Sequence, residues 1–187
     1  MFDNKEKEIF EELNSKLVEI NQQLEIICAG GYILDRCELR STEDIDAFYN
    51  TNEQINKAIE EVGTKYKINP KDELWLNNSI QSLNKKPPLN ICQNIYNFSN
   101  LKVMIPPLDY IVCMKLKSAR TQDISDVSKL IIKLNINVKQ PRTYVIFSLY
   151  GITDYSMMKS HTLKYLTTRH YRLDLTNHSV TSSSSLI

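Results

Sequence analysis

Glycine is scarce in this chain. Only four occur, Gly30, Gly31, Gly63 and Gly151, about 2% against a typical ~7%. Two of them stand side by side. A chain so sparing with glycine has little reason to pair two unless the backbone there meets a special demand. Other scarcities exclude whole classes. There is no excess of either charge: 23 Lys and Arg face 22 Asp and Glu, a net +1. That removes the electrostatic footprint of a dedicated DNA-binding protein or a polybasic membrane anchor. No run of eighteen apolar residues exists to cross a bilayer. The opening MFDNKEKEIFEEL lacks the basic stub and apolar stretch of a signal peptide, so a cytoplasmic protein is expected. All three histidines follow residue 160, which excludes a histidine-based site in the main body. The four cysteines, Cys28, Cys37, Cys92 and Cys113, match no zinc spacing and read as reduced, mostly buried thiols.

What is present is globular, with 42% hydrophobic and 24% charged residues. Ile9, Phe10, Leu13, Leu17, Ile20 and Leu24 recur at helical steps and predict an opening helix. Leu24 to Cys28 reads as a buried strand ending in glycine, Tyr32 to Leu39 as a short helix, and Asp44 to Tyr49 as an alternating strand. Asn52 is placed to cap a helix that Gly63 stops. Residues 72–83 are expected to form a short helix, 89–98 and 101–105 strands, and 108–119 and 123–134 helices after Pro106-Pro107. Residues 142–151 fit either helix or strand. The expected organisation is an α/β (α+β) domain over 1–135, a helical appendage over 136–172, and a Ser/Thr-rich disordered tail over 173–187.

The informative segment is ICAGGYILDRCELRSTEDIDAFY, from Ile27 to Tyr49. Side chains two apart on a strand share a face, so Asp44 and Asp46 point one way while Ile45 and Ala47 enter the core. Paired carboxylates repel unless a cation lies between them, and hard oxygens suit Mg²⁺ or Mn²⁺. The Gly30-Gly31 turn opens a helix, where free N–H groups and the absence of a Cβ let a phosphate approach. Alone, either feature is commonplace, and surface acids explain an isolated Asp-x-Asp. Together, in this order, they form the minimum equipment for metal-assisted nucleotidyl transfer.

This segment resembles the nucleotidyltransferase superfamily, whose signature is a strand, Gly-Gly or Gly-Ser, about ten residues, and an Asp-x-Asp strand. It is more specifically similar to small prokaryotic members, including AbiEii-type toxins of abortive-infection systems. The counterparts are Gly30 to Asp46 with Arg40 and Thr42, then Trp75-Leu76-Asn77, then Lys115 to Asp126. The resemblance implies a small mixed β-sheet flanked by helices, an NTP as substrate, Mg²⁺ or Mn²⁺ at Asp44 and Asp46, and nucleotide contacts from Gly30, Gly31, Arg40, Thr42 and Lys115. It implies NMP transfer to a hydroxyl of a protein, an RNA or a small molecule, with a cognate antitoxin as partner and no membrane. Arg40 has two readings, phosphate contact or charge balance for the acids. Lys115, Ala119, Asp123 and Asp126 share one helical face, so Lys115 serves phosphates or a salt-bridge face in which Arg120 pairs with Asp123. Trp75 is read as core.

One expected part is missing. The predicted strands at 89–98 and 101–105 contain no Asp or Glu to serve as a third catalytic carboxylate. Asp109 and Asp123, with Arg120, are auxiliary candidates. The alternative function is a nucleotide-binding or interaction module of the same fold without turnover.

Overall fold

The computed structural model describes residues 5–82, 86–118, 120–134, 172–174 and 179–181. They fall into two compact units that meet in sequence between Pro107 and Leu108.

In the first unit the order is α1 (Glu6–Glu19), β1 (Leu24–Cys28), α2 (Gly30–Arg36), β2 (Ile45–Phe48), α3 (Glu53–Tyr66), β3 (Leu76–Asn77), β4 (Gln93–Asn97) and β5 (Leu101–Ile105). Short 3-10 helices occupy Ser79–Ser82 and Leu89–Ile91. The strands form one mixed sheet in the order β3-β2-β1-β5-β4. β1 lies parallel to β5, with Leu24 opposite Leu101, and antiparallel to β2, with Cys28 opposite Ala47. A five-stranded mixed sheet flanked by helices is the expected α+β architecture.

The core follows from the apolar stripes. α1 buries Ile9, Phe10, Leu13 and Leu17, and packs on α3 and β5. β1 is the central strand, with Leu24, Ile26, Ile27 and Cys28 all buried. Trp75 is fully buried: its indole donates to the Ile59 carbonyl at 2.8 Å, and its ring meets Phe10 at 5.7 Å between centroids. None of the four cysteines forms a disulfide; Cys28 and Cys113 are buried and Cys37 and Cys92 half-buried.

Two expectations are corrected here. Gly63 does not stop α3. The helix runs on to Tyr66 and ends at Lys67 in a left-handed conformation. Gly63 instead makes room for Asn69, whose side-chain oxygen would collide with a Cβ at that position. Asn69 in turn donates to the Glu60 carbonyl and accepts from the Trp75 N–H. Residues 72–83 form no single helix: Leu76-Asn77 is a strand paired with β2, followed by the 3-10 turn. The Asn52 cap does form, its side chain accepting from the Ile55 N–H at 2.9 Å.

The second unit contains α4 (Leu108–Ser118), α5 (Thr121–Leu134) and an antiparallel pair, β6 (Arg172–Asp174) with β7 (Ser179–Thr181). β6 and β7 fall largely within the stretch expected to be disordered. The helical appendage, the ambiguous segment 142–151 and the remainder of the tail lie outside the described residues. No helix among the described residues is long and apolar enough to cross a membrane.

Candidate active site

The site forms at one end of the sheet, where β1 gives way to α2 and β2 begins. The Ala29 N–H donates to the Asp46 carbonyl at 2.7 Å and carries the β1–β2 pairing up to the glycines. Gly30 then takes φ +59°, a conformation that side chains disfavour. A Cβ on Gly30 would collide with the Asp46 carboxylate. One on Gly31 would lie 2.6 Å from the Thr42 hydroxyl and 2.8 Å from the Arg40 guanidinium. The glycine pair therefore seats three candidate side chains, Asp46, Thr42 and Arg40, against the α2 backbone. Sequence reasoning assigned the missing Cβ atoms to phosphate approach. The structure shows that they make space for these neighbours.

Asp46 lies on β2 and Asp44 one residue before it, each half-buried. The Thr42 hydroxyl is 3.2 Å from the Asp44 carbonyl and from its Oδ1, so it can donate to either. Asn77 stands opposite Asp46 in the parallel β2–β3 register. Its amide nitrogen donates to Asp44 Oδ2 at 3.0 Å, and its amide oxygen accepts from the Ser79 N–H at 3.2 Å. The Ser79 hydroxyl lies 2.6 Å from that oxygen and 3.3 Å from Asp46 Oδ1. Asn77 and Ser79 thus bridge the two acids. Sequence reasoning noted Asn77 only as part of the Trp-Leu-Asn segment and did not include Ser79. The only available signal was two short polar residues just after a buried tryptophan.

Beneath α2, Glu6 accepts from Tyr32 (2.8 Å), Tyr96 (2.9 Å) and Arg36, tying α2 to α1 and β4. Burial above all pushes the Tyr32 phenol far up, so it stays neutral as a donor.

Lys115, Arg120, Asp109 and Asp123 all belong to the second unit. The expected shared helical face is divided between two helices, and Lys115 on α4 meets α5 across their contact. Its ammonium is buried and donates to Asp123 at 3.1 Å and Asp126 at 2.8 Å. Arg120 pairs with Asp123 at 2.6 Å, as expected. Burial alone would raise the Asp123 carboxyl. Hydrogen bonds from Arg120 and Ser118 and the Lys115 charge overcome that and lower it to about 2. Asp109 accepts from the Tyr110 N–H in the first turn of α4. Among the described residues, no group of three His, Cys, Asp or Glu is placed to hold a metal.

The mixed sheet, with a glycine turn packed against an Asp-x-Asp strand, defines a nucleotidyltransferase-like α+β domain. Residues 4–169 match the family described as nucleotidyltransferase of unknown function (DUF6036), and the chain belongs to that family. No curated protein and no solved structure matches the chain.

Proposed function

We propose that this nucleotidyltransferase moves a nucleoside monophosphate from an NTP to a hydroxyl acceptor on a protein, an RNA or a small molecule. The observation that carries the reading is the convergence of Gly30, Gly31, Arg40, Thr42, Asp44 and Asp46 at one sheet end. Asp44 and Asp46 would hold Mg²⁺ or Mn²⁺. The fit rests on hard carboxylate oxygens, half exposed and held in place by neutral donors. Bound there, the cation would offset charge on the triphosphate and polarise the phosphoryl group.

The chain's own residues bind and orient. The Gly30-Gly31 backbone admits the triphosphate, and Arg40, close against Gly31, meets its charge. Thr42 and Asn77 fix the Asp44 carboxylate. The acceptor oxygen bonds to the α-phosphorus, the bridging bond to the β-phosphate breaks, and pyrophosphate leaves with net release of a proton. The resemblance also assigns Lys115 to phosphate. Its burial between Asp123 and Asp126 supports instead a role in joining α4 to α5.

Incubation with labelled NTPs, Mg²⁺ and cell extract should label an acceptor, and Asp46→Asn should reduce labelling by about a hundredfold or more. Equal labelling by wild type and Asp46→Asn would sink the proposal. The resemblance to AbiEii-type toxins extends it to a toxin restrained by a partner antitoxin. Expression of the wild type should then arrest growth and Asp46→Asn should not. A second reading, nucleotide binding without turnover, draws on the lack of a third acid among the described residues. It predicts an Mg²⁺-dependent thermal shift with NTP and no label transfer.

A further inference from the structure

The place beside the two acids that another carboxylate could take is filled by an amide and a hydroxyl. Asn77 sits in register with Asp46, donates to Asp44 Oδ2, and accepts from both the N–H and the hydroxyl side of Ser79. The Asn77 orientation is fixed by these contacts, because only its nitrogen can donate to a carboxylate and only its oxygen can accept from a backbone N–H. Ser79 has a single hydroxyl hydrogen. It can go to Asn77 at 2.6 Å or to Asp46 at 3.3 Å, but not to both at once. With the hydrogen on Asn77, the Ser79 oxygen turns its lone pairs toward Asp46 and is free to accept or to meet a cation there. The Asn77 amide steadies Asp44, the Ser79 hydroxyl donates to Asp46 only when its hydrogen turns that way, and neither group adds charge.

Cation affinity rises with the number of charged ligands, and Mg²⁺ held by only one or two carboxylates relies on substrate phosphates for the rest of its shell. Resting on the functional reading above, we infer that Asn77 and Ser79 make this a doubly negative site for one cation. It fills with the metal carried on the nucleotide and holds no resident ion of its own. The ligand is a metal–nucleoside triphosphate, and Asn77 and Ser79 are positioning residues for it.

The test is Mn²⁺ binding by the full chain, followed by electron paramagnetic resonance and calorimetry, with and without a non-hydrolysable NTP analogue. Mn²⁺ alone should show no saturable uptake below about 1 mM, and one Mn²⁺ should enter with each bound nucleotide. Asn77→Asp should bind Mn²⁺ alone about tenfold more tightly or better, and its lowered thermal midpoint should recover with Mn²⁺. Ser79→Ala removes no charge and should weaken Mn²⁺–nucleotide binding by about tenfold. Micromolar uptake of Mn²⁺ alone by the wild type, or two Mn²⁺ per nucleotide, would overturn the inference. So would wild-type behaviour of both variants while Asp46→Asn abolishes binding, and in that case the functional reading survives. If the wild type binds neither metal nor nucleotide, both fall together.

Discussion

Gly30 and Gly63 carry different constraints, and the difference is visible only in what surrounds them. At Gly30 both the backbone conformation and the Asp46 carboxylate refuse a side chain. Gly30→Ala should cost about 1–2 kcal/mol for the left-handed conformation alone. It should also displace Asp46, so nucleotide-dependent thermal stabilisation should vanish even where circular dichroism reports a folded chain. Gly63 is helical, and its neighbour is Asn69. Gly63→Ala should lower stability by about 1–3 kcal/mol through overpacking, read by denaturant melts, with nucleotide binding intact below the melting range. Sequence alone identified the first glycine because the motif around it is local. It misread the second because the demand comes from a residue on the following loop.

At the level of elements, α1, β1, α2, β2 and α3 were legible because each carries its own periodicity, cap or apolar run. β3 was not. A strand of two residues exists through its partner, and DELWLNNSIQSL carries helix-like apolar spacing that pairing with β2 overrides. Asn77 and Ser79 stayed hidden for the same reason, since their work depends on that pairing. The α4–α5 contact shows the reverse. The spacing of Lys115, Asp123 and Asp126 announced a relation, and burial decides its kind. A buried ammonium between two carboxylates cannot be removed alone without leaving charge uncompensated. Lys115→Met should cost about 3–5 kcal/mol in equilibrium unfolding. Arg120 is largely exposed, and replacing it with Ala should cost no more than about 1 kcal/mol. The lowered Asp123 carboxyl gives a sign for acid. Its stabilisation is complete above the ordinary carboxylate range and fades as pH falls from about 4 toward 2, by about 2 kcal/mol in all. A pH series of melts should show that loss, and Asp123→Asn should remove this share of the pH dependence.

For the whole molecule, the sheet order has a consequence in time. β1 receives β2 quickly, because only α2 and a short loop separate them. Its other neighbour, β5, begins at Leu101, the partner of Leu24. During synthesis the glycine turn and the acid strand therefore wait, on the order of seconds at typical elongation rates, with one flank of the central strand unprotected. The newborn chain presents an apolar edge through that interval, which invites a chaperone or a stray strand. Chains stopped while Leu101 is still inside the ribosome exit tunnel should be captured by a holdase or aggregate, and chains stopped once Ile105 has cleared the tunnel should be released from it. Ribosome-bound pull-downs at these two stages would show whether β5 is what covers the open flank of β1.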